Sequence, residues 1–126
     1  MTKKLLIVDD EVHIRSLLEQ TLEELEDDFD VEIMLAANGE EGLALILSER
    51  PGVVFLDIMM PRMNGYEVCR KVMADPAFAE TKIILLTAKG QEVDRKQGMD
   101  AGAFQYMTKP FDPDEVLALA RKLMEL

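Results

Sequence analysis

The sequence predicts an α/β protein: a doubly wound parallel sheet of five strands with five helices spread over its two faces. Three features point there. Short apolar runs alternate with helical patterns along the whole of the 126 residues, and such alternation needs crossover connections that leave neighbouring strands parallel. Leu5–Val8, Val53–Leu56 and Ile83–Leu86 are unbroken apolar runs, as strands covered on both faces must be. No Pro/Gly/Ser-rich linker, internal repeat or low-complexity stretch interrupts the pattern, so one domain over residues 1–126 is expected.

The first strand is predicted at Leu5–Asp9. A helix of about Glu11–Glu26 follows, with Ile14, Leu17, Leu18, Leu22 and Leu25 in one stripe at spacings of three and four, the pattern of a helix packed on a sheet. Val31–Ala36 is the second strand, and Asn38-Gly39 turns the chain into a helix carrying Leu43, Ile46 and Leu47. Val53–Asp57 is the third strand. Pro61, Asn64 and Gly65 mark a loop before a helix of about Glu67–Ala74. The fourth strand, Lys82–Thr87, leads to a polar helix around Val93–Asp100, which Gly102 can end in the left-handed conformation. Ala103–Met107 is the fifth strand. The last helix, Asp112–Leu126, has the strongest signals: Asp112 suits the N-cap, Pro113 the first helical position, and Glu115 can reach back. Polar interruptions in Val31–Ala36 and Ala103–Met107 put strands two and five at the edges. The order 2-1-3-4-5 satisfies this, and its functional crevice lies beyond the carboxyl ends of strands one and three.

Composition narrows the function classes. With 48% apolar and 31% charged residues, the chain sits near the globular average and away from disorder. Fourteen basic against twenty-five acidic residues give a net charge of −11, which repels a phosphate backbone and excludes nucleic acid as a partner of this chain alone. Its apolar runs fall far short of the ~18 residues of a membrane span. The start Met1-Thr2-Lys3-Lys4 lacks a cleavage-site pattern, and the single cysteine, Cys69, forms no internal disulfide, so a cytoplasmic setting is expected.

The carboxyl ends of the predicted strands carry polar residues that packing does not explain. Strand one runs into Asp9-Asp10-Glu11, strand three ends in Asp57, strand four in Thr87, and Lys109 follows strand five. Two carboxylates ~5 Å apart repel by roughly 3 kcal/mol at an effective dielectric near 20, so three aspartates together face a penalty of the order of the folding stability. One lysine does not offset that. A hard divalent cation such as Mg²⁺ would, while keeping positions open for a phosphoryl oxygen. Taken singly these residues have plainer roles: Asp10 or Glu11 as partners of a helix N-terminus, Thr87 as a strand-end residue, Tyr106 as an edge aromatic with a wet hydroxyl. Cys69 reads as a packing residue, His13 as a solvated position on the first helix, and the nine methionines mostly as core filling. The convergence, not any one residue, points to a site.

Four segments then resemble a family. Leu6-Ile7-Val8-Asp9-Asp10-Glu11, Asp57-Ile58-Met59-Met60-Pro61-Arg62-Met63-Asn64-Gly65, Thr87-Ala88, and Ala101-Gly102-Ala103 with Tyr106-Met107-Thr108-Lys109-Pro110-Phe111 are together similar to the response-regulator receiver domain of the chemotaxis type, over the full chain and on its flavodoxin-like fold. The resemblance implies that Asp57 is the nucleophile that takes a phosphoryl group from the phosphohistidine of a histidine kinase or histidine phosphotransfer protein. Asp9 and Asp10 correspond to the Mg²⁺-binding acids, completed by Asp57 and the backbone carbonyl of Met59. Mg²⁺ on one side and Lys109 on the other would neutralise the equatorial oxygens. Thr87 is similar to the residue that closes on a phosphoryl oxygen and Tyr106 to the aromatic whose rotation follows, which switches the surface of the fourth helix, fifth strand and fifth helix toward a downstream protein target. Lys109-Pro110 resembles the family's cis peptide. Such a domain is no enzyme beyond its own phosphorylation and dephosphorylation.

In the family, two positions flank the path of water to the acyl phosphate; here they hold Met59 and Lys89. Neither offers a carboxylate or amide to orient that water, so a long-lived phosphorylated form is expected. Three rivals fit less well. A flavin carrier would need hydroxyl- or glycine-rich phosphate loops where this chain has three acids. A metal-dependent aspartyl-phosphate hydrolase would need an acidic residue where Met59 stands, and a phosphorylation-independent interaction module would not need the full set of acids. A free-standing receiver, one cut from a larger DNA-binding regulator or hybrid kinase, and dimerisation on phosphorylation all stay open.

Overall fold

The computed structural model describes residues 3–88 and 95–126. Strands β1 (Lys3–Val8), β2 (Val31–Ala36), β3 (Val53–Asp57), β4 (Lys82–Ala88) and β5 (Gln105–Lys109) form one sheet in the order β2-β1-β3-β4-β5. Every neighbouring pair is parallel, as the crossover argument requires. Helices α1 (Val12–Thr21), α2 (Glu23–Phe29), α3 (Gly39–Glu49), α4 (Gly65–Met73), α5 (Arg95–Asp100) and α6 (Pro113–Leu123) make the connections, with a short 3₁₀ turn at Pro76–Phe78.

Strand alternation divides the core into two layers. Leu5, Ile7, Phe55, Ile84 and Leu86 face Leu18, Leu22 and Leu25 of the first helical segments and Val116 and Ala120 of α6. Leu6, Val8, Val54, Leu56, Ile83 and Leu85 face Ile46 of α3, Val68, Cys69 and Val72 of α4, and Ala101 after α5. Each fully buried aliphatic or aromatic side chain contributes about 1.5–3 kcal/mol. This two-sided burial holds the sheet rigid, so residues at its carboxyl edge are presented in fixed positions.

Several boundaries differ from expectation: β1 runs Lys3–Val8 rather than Leu5–Asp9, β4 extends to Ala88, and β5 ends at Lys109 rather than Met107. The first helix is not continuous over Glu11–Glu26: Leu22, at φ −101° and ψ 5°, separates α1 from α2, which runs on to Phe29. The helix after β3 starts at Gly65, because Asn64 and Glu67 form a reciprocal capping box. The fifth strand begins two residues later than Ala103, since Ala101–Ala103 serve to leave α5, with Gly102 at φ 99°. In α6 the Asp112 side chain accepts from the Asp114 N–H with Pro113 beginning the helix, and the regular turns stop at Leu123. Of the helix predicted around Val93–Asp100, Arg95–Asp100 is helical and the part before it lies outside the described residues. No helix among the described residues is long and apolar enough to cross a membrane.

Candidate functional site

Asp9 follows β1 directly and is held from four sides. Its N–H donates to the Ala36 carbonyl at 3.1 Å, and its carbonyl accepts from Arg15 Nη1 at 2.6 Å. Of its carboxylate, Oδ1 accepts from the Glu11 N–H at 2.9 Å and Oδ2 from Lys109 Nζ at 2.9 Å. The first of these bonds serves a helix start, because Glu11 occupies the α1 N-cap without capping it through its own side chain. Asp57 ends β3. Its Oδ1 accepts from Lys109 Nζ at 3.2 Å and, weakly, from the Met59 N–H at 3.4 Å. The loop beyond it can return this closely only because residue 65 is glycine: a Cβ there would lie 2.5 Å from the Asp57 carbonyl oxygen.

The cluster is buried on one side and open on the other. Asp9 is 0% exposed, Asp57 2% and Thr87 2%, whereas Asp10 is exposed. Each of Asp9, Asp10 and Asp57 brings a carboxylate oxygen to within 4.8 Å of the others. Lys109, the last residue of β5, sends its ammonium between Asp9 and Asp57, and its peptide bond to Pro110 is cis. Thr87 stands near the end of β4 and its hydroxyl donates a long 3.4 Å bond to the Ala88 carbonyl. All of the polar residues expected at the strand ends therefore meet at one edge.

Electrostatics at this edge is unbalanced. Burial, then the charge of Asp9, raise the Asp57 carboxyl to about pKa 7, although Lys109 and the Met59 N–H pull the other way. Burial works against the Lys109 ammonium, yet its hydrogen bond to Asp9 and the charges of both aspartates outweigh it and raise its pKa. Two facts test whether a divalent cation fits. Asp57 Oδ2 is buried and has no hydrogen-bond partner among the described residues, a costly state for a carboxylate oxygen. Three carboxylates with one ammonium also leave excess negative charge inside 4.8 Å. Oxygen donors, an orphaned acceptor and one solvent-facing acid are the donor set that a hard ion such as Mg²⁺ takes while keeping part of its water.

The remaining sequence-predicted residues fall around this cluster. Met59 follows it in the loop, its side chain 60% exposed. Tyr106 lies half-buried on β5 beside Leu85 of β4 and packs toward the α3–α5 layer. Lys89, the second residue expected beside the water path, lies outside the described residues. His13 is exposed, 3.2 Å from Glu11. The Cys69 thiol is fully buried, donates to the Ala101 carbonyl at 3.5 Å, and is pushed up to about pKa 11 by burial, which makes it a packing residue. Tyr66, which sequence reasoning did not single out, places its hydroxyl 3.3 Å from that of Tyr106. Forty residues separate the two in sequence, and no spacing rule could have joined them.

The family model described as "Response regulator receiver domain" matches residues 5–121. The chain belongs to that family. This receiver domain is similar to the alkaline phosphatase synthesis transcriptional regulatory protein PhoP of Bacillus subtilis, with 40% identity over 98% of this chain and 49% of the relative. It is 43% identical to the transcriptional regulatory protein ResD of the same organism, over 96% of this chain and 48% of the relative. The receiver thus spans about half the length of the curated relatives it matches. Among solved structures it resembles the chemotaxis response regulator CheY4 of Vibrio cholerae, at a TM-score of 0.83 and 31% identity over 98% of this chain and 99% of that one. It also resembles a BeF₃-activated receiver domain of DrrB, at 0.85 and 33% over all of both chains.

Proposed function

We propose that this receiver takes a phosphoryl group from a phosphohistidine onto Asp57, in the presence of Mg²⁺, and passes the change to the α5–β5–α6 surface. The observation that carries this is Asp57 Oδ2, a buried carboxylate oxygen without a partner among the described residues, beside two further acids and one lysine. Such an oxygen is desolvated and not engaged in a hydrogen bond, which leaves its lone pairs to a nucleophilic attack. On attack, an Asp57 oxygen bonds to phosphorus, the phosphorus–nitrogen bond to the donor imidazole breaks, and the imidazole leaves with that electron pair. Asp9, Asp10 and Asp57, with the Met59 carbonyl, would hold Mg²⁺, which supplies charge neutralisation on the phosphoryl oxygens. Lys109, fixed by Asp9, neutralises the same group from the side. Thr87 then exchanges its weak bond to Ala88 for a phosphoryl oxygen, and the inward arrangement of the Tyr106 ring is favoured over the outward one.

On this reading the partners are a histidine kinase or histidine phosphotransfer protein upstream and a protein target downstream, and the domain works in the cytoplasm as one unit. It turns over no substrate other than its own phosphoryl group. A second reading has support from relative length: the curated relatives are about twice as long and are named transcriptional regulators, so this receiver would control the output part of a larger regulator.

Intact-mass measurement after incubation with a small-molecule phosphodonor tests the central step. Wild type should gain one phosphoryl group only when Mg²⁺ is present, and Asp57→Asn none. Labelling that persists in Asp57→Asn would assign the nucleophile elsewhere.

A further inference from the structure

Among the described residues, two that lie outside the phosphorylation chemistry face the inward Tyr106 ring. One is Gly98, within α5. A methyl group placed there would lie 2.3 Å from the Tyr106 hydroxyl oxygen, 2.7 Å from its Cζ and 2.7 Å from Leu85 Cδ1. The tip of the Tyr106 ring therefore occupies the space that any larger residue would fill. Glycine is a poor helix residue, and α5 tolerates it at the one turn that the ring covers. The other residue is Tyr66, the second residue of α4 and 4% exposed. Its hydroxyl lies 3.3 Å from that of Tyr106, at the long end for such a pair. Tyr66 belongs to the buried apolar cluster that also holds Ile58, Val68 and Cys69, so its hydroxyl is presented by a packed group.

We infer that Gly98 and Tyr66 form a seat for the Tyr106 ring and are positioning residues for the switch. The inference rests on the reading of Tyr106 as the aromatic that follows Thr87. Given that reading, the seat sets how much of the resting protein already has Tyr106 inward. The apparent Kd of a ligand that needs the inward arrangement is its intrinsic Kd divided by the fraction of molecules already in that arrangement. Gly98 and Tyr66 thereby tune the response of Asp57 without touching the phosphoryl group.

The chain has two tyrosines, so a tyrosine-labelled NMR spectrum is assigned by comparison with Tyr66→Phe. In the wild type the Tyr106 ring should show contacts to the Gly98 α-protons and the Leu85 methyls. Gly98→Ala should abolish the contact to residue 98 by turning the ring outward. Tyr66→Phe, which keeps the packed ring, should lower the inward-to-outward ratio by roughly threefold, the worth of one weak hydrogen bond. The functional arm is titration with beryllofluoride and Mg²⁺. Gly98→Ala should weaken its apparent affinity by about three- to tenfold, and should have no effect when Tyr106→Leu is also present. Equal weakening in both backgrounds would mean that residue 98 acts on the fold alone, and would overturn the inference. So would a Tyr106 orientation unmoved by Gly98→Ala and Tyr66→Phe. A wild type that binds no beryllofluoride would overturn the phosphoacceptor reading instead, and the ring orientation would still decide the seat.

Discussion

Replacing Asp57 by asparagine should stabilise the metal-free protein at pH 8, although it removes the residue on which the function depends. In the fold the Asp57 carboxyl titrates at about pKa 7 against an ordinary value of 3.8. A shift of about 3 units at roughly 1.4 kcal/mol each makes the ionised group cost about 4 kcal/mol. Because the folded pKa is the higher one, the fold binds a proton more tightly than the unfolded chain between about pH 4 and pH 7. Stability at this site is therefore fully present below pH 4, falls as pH rises through that window, and is level above it. Asparagine keeps the shape and loses the charge, but it gives Lys109 a weaker partner. The gain should then be about 2–4 kcal/mol at pH 8, of the order of 10 °C in Tm for a domain of this size, and should shrink toward zero near pH 4. Thermal or urea unfolding of both proteins in chelator, at pH 4, 6 and 8, measures it. An Asp57→Asn variant no more stable than wild type at pH 8 would show that Asp57 is not a destabilised buried anion, and the case for a cation there would lose its energetic basis.

Two other changes probe the same edge. Lys109→Met strands the carboxylates of Asp9 and Asp57, now 2.9 and 3.2 Å from its ammonium; it should cost about 2–4 kcal/mol at pH 8 in chelator. The cost should be smaller at pH 6, where Asp57 is protonated, and equal losses at both pH values by urea unfolding would contradict the coupling. Met59→Asn puts an amide where the loop has an exposed thioether, so the phosphorylated form should decay several-fold faster by intact mass; unchanged or slower decay would count against a water path past residue 59.

Much of this architecture was legible because it follows from burial. Strands covered on both faces must be apolar throughout, and β1, β3 and β4 are; the polar interruptions of β2 and β5 put them at the edges, which leaves few strand orders. Asp9, Asp57, Thr87 and Lys109 were legible as a site for the converse reason: a strand end that only packs has no use for a buried acid. The break at Leu22 was not legible, because Leu22 and Leu25 are both fully buried and continue the apolar stripe across it. Periodicity records which side chains face the core, and it is blind to a backbone that changes course while keeping that face. Leu17 shows the reverse error, a member of the stripe that is 41% exposed. Asn64 and Gly65 have the composition of a loop, so the pattern puts the start of α4 two residues late, whereas Asn64 is the cap that begins the helix. The seat of Tyr106 joins residues 66, 98 and 106 through tertiary packing alone.

Calorimetric titration of Mg²⁺ into the chelator-treated protein at pH 8 bears most directly on whether three carboxylates share one cation pocket. One ion per chain should bind in the wild type, with affinity lost in both Asp9→Asn and Asp57→Asn and weakened as pH falls below 7, where a proton competes for Asp57. No heat of binding in the wild type, or uptake that survives both substitutions, would contradict it.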